Sequence, residues 1–341
     1  MKKYHFRSRK HKEDHVIGFA VVGLGMGKNR ARSVVETDGA ALRAVVDLDA
    51  SLAESVGTEL ETDWVTDLDD ALGRDDVDVV MVMTPSGTHA DVGCQVAAAG
   101  KHVVTTKPMD VSTAACDRLI QACEDANVLC AVDYQSRYVD ANAKVAQGLA
   151  AGVFGDPILG EVRFKWHRPQ SYFEHGTGWR GTWAMDGGGS LANQGAHLLD
   201  VLSWFMGDPV KVYGEAAVIA HDIETEDIGM AIVNFESGAK GTVLGTTTFS
   251  ESVYFSAEVH GTKGGALLDD VLRGEMRVFG DGVEADLADF GTPHASIVED
   301  VVSALDNGTS LAVDGSEGRR TVALLEKIYE SARSGTPVEV A

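Results

Sequence analysis

Five short apolar runs, each followed by a segment of helical length, constrain the fold of this chain more than any other feature. The runs are VIGFAVVG (16–23), ALRAVVD (41–47), DVVMVMT (78–84), HVVTT (102–106) and VLCAVD (128–133). Helix-like stretches fall between or beside them at 29–37, 51–58, 67–73, 89–99 and 113–126. A strand that is apolar on both faces must be covered on both faces, which a parallel sheet flanked by helices achieves. Regular alternation of such strands with helices predicts a doubly wound, Rossmann-type α/β domain.

Near residue 155 the pattern changes. ILGEVRFKW, KVYGEAAVIA, IGMAIVNFE, GTVLGTTTF and VYFSAEVHG are longer and alternate more often, and NFESGAKGTV carries the Ser-Gly punctuation of a hairpin. This predicts a C-terminal α+β domain with a largely antiparallel open sheet, plus late helices at about 293–306 and 316–333. The expected division is a basic, disordered tail at 1–15, a nucleotide-binding domain at 16–138 and a substrate-binding and oligomerisation domain at 139–341.

The chain has 341 residues and a net charge of −23. Residues 1–15 hold six Lys/Arg and two Asp/Glu, so the remainder is more acidic than the total. Such a surface repels nucleic acid and acidic membranes, and its self-repulsion is relieved by salt, as in a halophilic setting. No apolar run reaches about eighteen residues, the length a membrane span requires. The basic start lacks a sensible cleavage site, so a cytoplasmic location is expected. The four cysteines, Cys94, Cys116, Cys123 and Cys130, contain no C-x-x-C pair. They read as reduced core thiols, and no metal site is expected.

After the first strand comes GLGMGK, with Gly23, Gly25 and Gly27 around Met26. The dinucleotide fingerprint is G-x-G-x-x-G, and here the third glycine stands one place early, with Lys28 at the usual position. Taken alone, this loop suits a dinucleotide or S-adenosylmethionine equally. Asp47 ends the second strand twenty residues after Gly27, where a carboxylate accepts hydrogen bonds from an adenine ribose. No arginine follows it in DLDAS to neutralise a 2′-phosphate, which favours NAD over NADP. TPSGTH (84–89) and TTKPMD (105–110) lie at the carboxyl ends of strands, the edge where open α/β sheets bind ligands. They contribute Thr84, Pro85, His89, Lys107 and Pro108 to the expected cofactor site. Lys107 is either a surface lysine before a turn proline or a donor to a reacting hydroxyl.

GGGSLANQGAHLLD (187–200) sets three glycines before an apolar helix. Asn193, His197 and Asp200 recur at i, i+4 and i+7, which puts them on one helical stripe. Either they are satisfied structural groups or the stripe faces a site.

Together these residues resemble the Gfo/Idh/MocA family of NAD(P)-dependent sugar and polyol oxidoreductases. The resemblance runs from Val16 onward through VVGLGMG, AVVDLD, TPSGTHA, GKHVVTTKP, DYQSRY, GGGSLANQGAHLLD and SARSGTPVEV. It implies that the family's EKP lysine is Lys107 and that its D-x-x-x-H pair is Asn193 and His197. Thr106 replaces the usual Glu, and Asn193 the usual Asp. The stripe would then line the cleft between domains, with His197 as general base, Lys107 steadying the alkoxide and Asn193 orienting. A carbohydrate-like substrate would meet Gln135, Arg137, His167, Arg168, Tyr172, Arg180 and Trp183, unless the segment around 165–186 packs a subunit interface instead. The open sheet implies a homodimer or homotetramer. The other readings are a redox-neutral NAD-dependent enzyme acting on glycosides, and a non-catalytic NAD-binding sensor. A methyltransferase explains neither Lys107-Pro108 nor the late helix.

Overall fold

The computed structural model describes residues 16–176, 178–250 and 254–340, in two compact units. The expected basic tail at 1–15 lies outside the described residues.

The first unit holds strands β1 (Ile17–Val22), β2 (Ala40–Val46), β3 (Asp63–Val65), β4 (Val79–Val82), β5 (His102–Thr106) and β6 (Cys130–Asp133). They form one sheet in the order β3-β2-β1-β4-β5-β6, and every pairing is parallel. β1 and β4 are buried along their whole length, which explains why their sequences are apolar without alternation. Helices α1 (Leu24–Val35), α2 (Ala50–Glu59), α3 (Leu68–Leu72), α4 (His89–Ala98) and α5 (Thr113–Ala126) connect them. The strand order reverses between β1 and β4. Open α/β sheets bind ligands outside the carboxyl ends of the strands at such a point.

The second unit contains α6 (Asp140–Ala150), β7 (Pro157–Lys165), α7 (Gln170–Glu174), α8 (Ala196–Met206), β8 (Pro209–Ala217), β9 (Ile228–Phe235) and β10 (Lys240–Thr246). It continues with β11 (Tyr254–Gly261), β12 (Gly265–Asp270), β13 (Glu275–Phe279) and α9 (Val283–Asp286). The sheet order is β13-β12-β11-β7-β10-β9-β8 and then β14 (Val338–Glu339). Among the described residues of this sheet, only β7 and β10 pair in parallel. Along β7, the buried side chains Val162 and Phe164 alternate with half-buried Glu161, Arg163 and Lys165, the period of a strand with one covered face. α8 packs on β7 and β11, where Leu198, Leu202 and Phe205 join Phe164 and Phe255 in the core.

The expected boundary at 138/139 needs correction. Residues 296–316, including α10 (Ile297–Asn307), belong to the first unit rather than the second. Val132 donates its backbone N–H to Val313, and Ala131 bridges Asp314, so this late segment lines up beside β6. The second unit resumes at Glu317, within α11 (Gly315–Ser334). Among the described residues, no helix is long and apolar enough to cross a membrane.

Candidate functional site

In the first unit the candidate residues gather at the carboxyl edge of the sheet. α1 begins at Leu24, five residues earlier than the sequence pattern suggested, so GLGMG is the helix's first turn. Gly23 caps it at φ 87°, and a Cβ there would lie 2.8 Å from the Met83 carbonyl. Gly25 faces open space, with nothing within 4 Å of an added Cβ. Gly27 lies against β1 and the residue after β4, where a Cβ would sit 3.0 Å from that of Met83 and 3.2 Å from Val21. The three glycines thus divide a tight turn, an open approach to the helix N-terminus and close helix–sheet packing, the roles a dinucleotide pyrophosphate requires. Although Gly27 stands one place early in the pattern, it still supplies the packing contact. Met26, by contrast, points into solvent at 70% exposure.

Asp47 stands just beyond β2. One carboxylate oxygen accepts the Leu24 N–H at 2.7 Å and the other the Asp49 N–H at 2.9 Å. Each carboxylate oxygen has further acceptor capacity, so Asp47 is anchored beside the glycine turn while remaining able to accept ribose hydroxyls. These residues fit a dinucleotide. Thr84 and Pro85 are half-buried, and the Thr84 hydroxyl meets that of Thr88 at 2.8 Å. Lys107 is half-buried at the end of β5, and its peptide bond to Pro108 is cis.

His89 departs from its expected role. It is fully buried, with Nδ1 2.9 Å from the Pro108 carbonyl and Nε2 2.7 Å from that of Thr84. Burial pulls its pKa below the usual histidine value, against the backbone carbonyls and Asp110, which favour the cation. His89 therefore ties the loop after β4 to the loop after β5, with both ring nitrogens engaged by backbone.

In the second unit the stripe of Asn193, His197 and Asp200 comes apart. Ser190–Gln194 form a π-helical turn before α8 starts at Ala196, which breaks the regular 3.6-residue register. Asn193 donates its amide to Asp186 at 2.7 Å, and the other Asp186 oxygen accepts the Gly181 N–H at 2.9 Å. His197 is 7% exposed and lies between the rings of Tyr134 and Phe255, at centroid distances of 6.0 and 6.3 Å. Asp200 is engaged elsewhere: both its oxygens accept from Arg137 at 2.7 Å.

That pairing overturns the substrate role expected of Arg137. The side chain is buried, its Nη2 also donates to Glu317 at 3.0 Å, and it lies 4.4 Å from the Trp204 ring centroid. It is a structural clamp joining η-turn 135–138, α8 and α11. Gln135, two residues before it, is exposed.

The glycine triplet has its own cause. A Cβ on Gly189 would fall 1.8 Å from the Glu226 carbonyl oxygen, so no larger residue fits. The buried Glu226 carboxylate accepts from Gly189 N–H at 2.8 Å, Leu191 N–H at 2.7 Å and the Tyr329 hydroxyl at 2.9 Å. Desolvation pushes its pKa up to about 7 in spite of these donors. Glu226 and Asp186 thus fix the turn that presents Asn193. Sequence reasoning singled out neither; their one signal was acidic character in a segment that had to be buried.

The remaining expected substrate residues lie in the same unit. An open cavity of about 470 Å³ is lined by Arg168, Pro169, Ser171, Tyr172, His175 and Arg180. Gln194, beside Asn193, donates to the Tyr172 hydroxyl at 3.2 Å and links this cavity to the π-turn. His167 is exposed and bridges Thr248. Trp183 is 41% exposed and meets the Tyr329 ring edge-on at 5.1 Å, outside that cavity.

Comparison with known proteins agrees with both units. Residues 17–134 match the oxidoreductase family profile with an NAD-binding Rossmann fold, and residues 142–267 match the GFO/IDH/MocA C-terminal domain. The WlbA dehydrogenase of Bordetella pertussis, solved with NADH and UDP-GlcNAcA, is similar at 29% identity and a TM-score of 0.89, over 97% of this chain and 99% of that one. Its counterpart from Chromobacterium violaceum, with the same two ligands, is 30% identical with a TM-score of 0.88, covering 97% of each chain. The NAD-dependent scyllo-inositol 2-dehydrogenase of Bacillus subtilis is 27% identical over 74% of this chain and 73% of its own length.

Proposed function

The chain belongs to the Gfo/Idh/MocA family of NAD-binding oxidoreductases, and from that premise we propose that it oxidises a hydroxyl of a sugar, polyol or sugar derivative, with His197 as base and Lys107 assisting. The retained Lys107 and His197, each at its family position, carry this reading against a non-catalytic sensor. NAD, when bound, supplies the hydride acceptor. His197 takes the hydroxyl proton, since a neutral imidazole is the side chain best matched to proton transfer near neutral pH. The Lys107 ammonium steadies the oxygen as it gains negative charge. Asn193, held by Asp186, offers its amide oxygen to orient the substrate or His197.

Asp47 supports NAD over NADP, because its carboxylate would meet a 2′-phosphate with Asp49 close behind and no adjacent arginine. The outer sheet face, where Met230 and Ile232 are 46% and 53% exposed, supports a homodimer or homotetramer. The acidic chain and the lack of a described spanning helix support a cytoplasmic enzyme without nucleic-acid or membrane partners.

Steady-state kinetics with a sugar and polyol panel test the assignment. His197→Ala should lower kcat by about 10²–10⁴-fold and leave NAD affinity within error. Lys107→Ala should also cut turnover, and the two losses should not add in the double variant. Near-normal turnover by His197→Ala overturns the assigned base.

A further inference from the structure

The cavity beside the π-turn is electrostatically unusual for so acidic a chain. Arg168 and Arg180 both face the Tyr172 ring, their guanidinium carbons 4.6 and 4.9 Å from its centroid. Each has a second aromatic support: Trp166 lies 3.9 Å from Arg168, and Trp179 lies 4.8 Å from Arg180. Arg168 is held further by its backbone, which donates to Thr247 and accepts from His221 Nε2 at 2.7 Å. Most of the other described arginines take carboxylates, as Arg74 does with Asp63 and Asp76, or Arg137 with Asp200. Among the described residues neither Arg168 nor Arg180 has such a partner, and Arg168 Nε is buried without an acceptor.

Two guanidinium groups sharing one ring repel each other; burial first, and then Arg180, pulls the Arg168 pKa below its ordinary value. In a chain with 52 Asp/Glu and only 29 Lys/Arg, carboxylates to neutralise them are abundant. The aromatic contacts hold both guanidinium groups at the cavity wall, and guanidinium N–H groups recognise planar or tetrahedral oxyanions. A cavity of about 470 Å³ has room for a sugar-sized group. Gln194 ties its Tyr172 wall to the residue next to Asn193, so the cavity and the proposed catalytic turn are joined.

We propose that Arg168 and Arg180 bind an anionic substituent, carboxylate or phosphate, of the sugar substrate. This rests on the dehydrogenase reading and narrows its substrate class, a sugar, polyol or sugar derivative, to acidic or phosphorylated sugars. The arginines are binding residues here, and the proton and hydride steps do not involve them.

Calorimetric titration of the NAD-loaded full chain with glucose, glucuronic acid and glucose 1-phosphate tests the proposal. At least one anionic sugar should bind about tenfold or more tightly than glucose, and the two anionic arms separate carboxylate from phosphate. Arg180→Ala should erase that preference while leaving NAD affinity within about twofold. Arg180→Lys, which keeps the charge but loses the fork, should retain part of it, and it decides the matter should the alanine variant melt at a lower temperature. The proposal is overturned by no preference for an anion, by no binding of either anionic sugar, or by a preference unchanged in both variants. Turnover of neutral sugars without charge discrimination defeats the anion site and leaves the dehydrogenase standing. Arg180-dependent binding with no turnover of any sugar does the reverse.

Discussion

At the scale of single residues, the departure from the family's usual Asp at 193 has a local explanation. A carboxylate is already present in Asp186, which accepts the Asn193 amide at 2.7 Å and is itself 1% exposed. An aspartate at 193 would set two carboxylates face to face, and they could not both ionise without a large penalty. Asn193→Asp should therefore lower the melting temperature above pH 6 and recover as the pair takes up a proton in acid. The swapped double variant Asp186→Asn/Asn193→Asp should restore most of the loss, whereas a wild-type melting curve for Asn193→Asp alone would show that Asp186 exerts no such constraint. Glu226 makes a second residue-scale prediction. Its pKa rises from the ordinary 4.5 to about 7 in the fold, so the folded state holds its proton more tightly than the unfolded chain. The stabilisation this gives is complete below pH 4.5 and disappears as pH rises through 7. Glu226→Gln loses an acceptor and should melt lower throughout, but its stability should fall less steeply than wild type between pH 5 and 7.5. Parallel slopes for the two proteins would refute the assignment of that proton to Glu226.

Elements were more legible than the contacts that hold them. All five apolar runs became strands of the parallel sheet, because burial on both faces leaves an unmistakable apolar signal. β3 and β14, with three and two residues, are too short to carry a period and went unseen. The start of α1 was misplaced because glycines in GLGMG read as breakers, whereas here they begin the helix. Motif order singles out Lys107, Asn193 and His197, and the roles proposed for them rest on that resemblance. Arg137 was misread because its partners lie 63 and 180 residues away, a distance that no local pattern reports. His89 was misread likewise, since one of its carbonyl partners lies across the turn 19 residues on. The glycine turn itself makes a separable prediction. Gly25 has open space for a methyl group, so Gly25→Ala should leave the melting temperature unchanged or raised while weakening NAD binding about tenfold or more. Gly27→Ala forces Met83 and Val21 to yield, and should cost about 1–3 kcal/mol of stability. Equal effects of both substitutions on folding and on NAD affinity would contradict this division of roles.

For the whole molecule the governing quantity is charge. The net −23 includes the basic 1–15 segment, so residues 16–341 carry a larger negative charge than the total implies. Much of that repulsion acts over distances comparable to the screening length, which shrinks from about 10 Å at 0.1 M salt to about 3 Å at 1 M. The melting temperature should therefore climb with KCl, by about 5 °C or more between 0.1 and 2 M. General salting-out would give a similar rise, but repulsion alone predicts that the slope diminishes as pH falls toward 5 and carboxylates begin to protonate. A salt response that is flat at pH 7.5, or the same at pH 5 and 7.5, would remove net charge as its cause. The arginine cavity should respond in the opposite sense, because there the ions compete with and screen an attraction rather than a repulsion. Affinity for the anionic sugar should decline over the same range in which the fold gains stability, while affinity for glucose stays level. Activity on an anionic substrate would then peak at an intermediate salt concentration, set by where the gain in folded enzyme ceases to offset the rise in KM. Measuring melting temperature and KM in one KCl series separates the two effects. If KM is indifferent to KCl, the attraction between Arg168, Arg180 and the substrate does not contribute to binding.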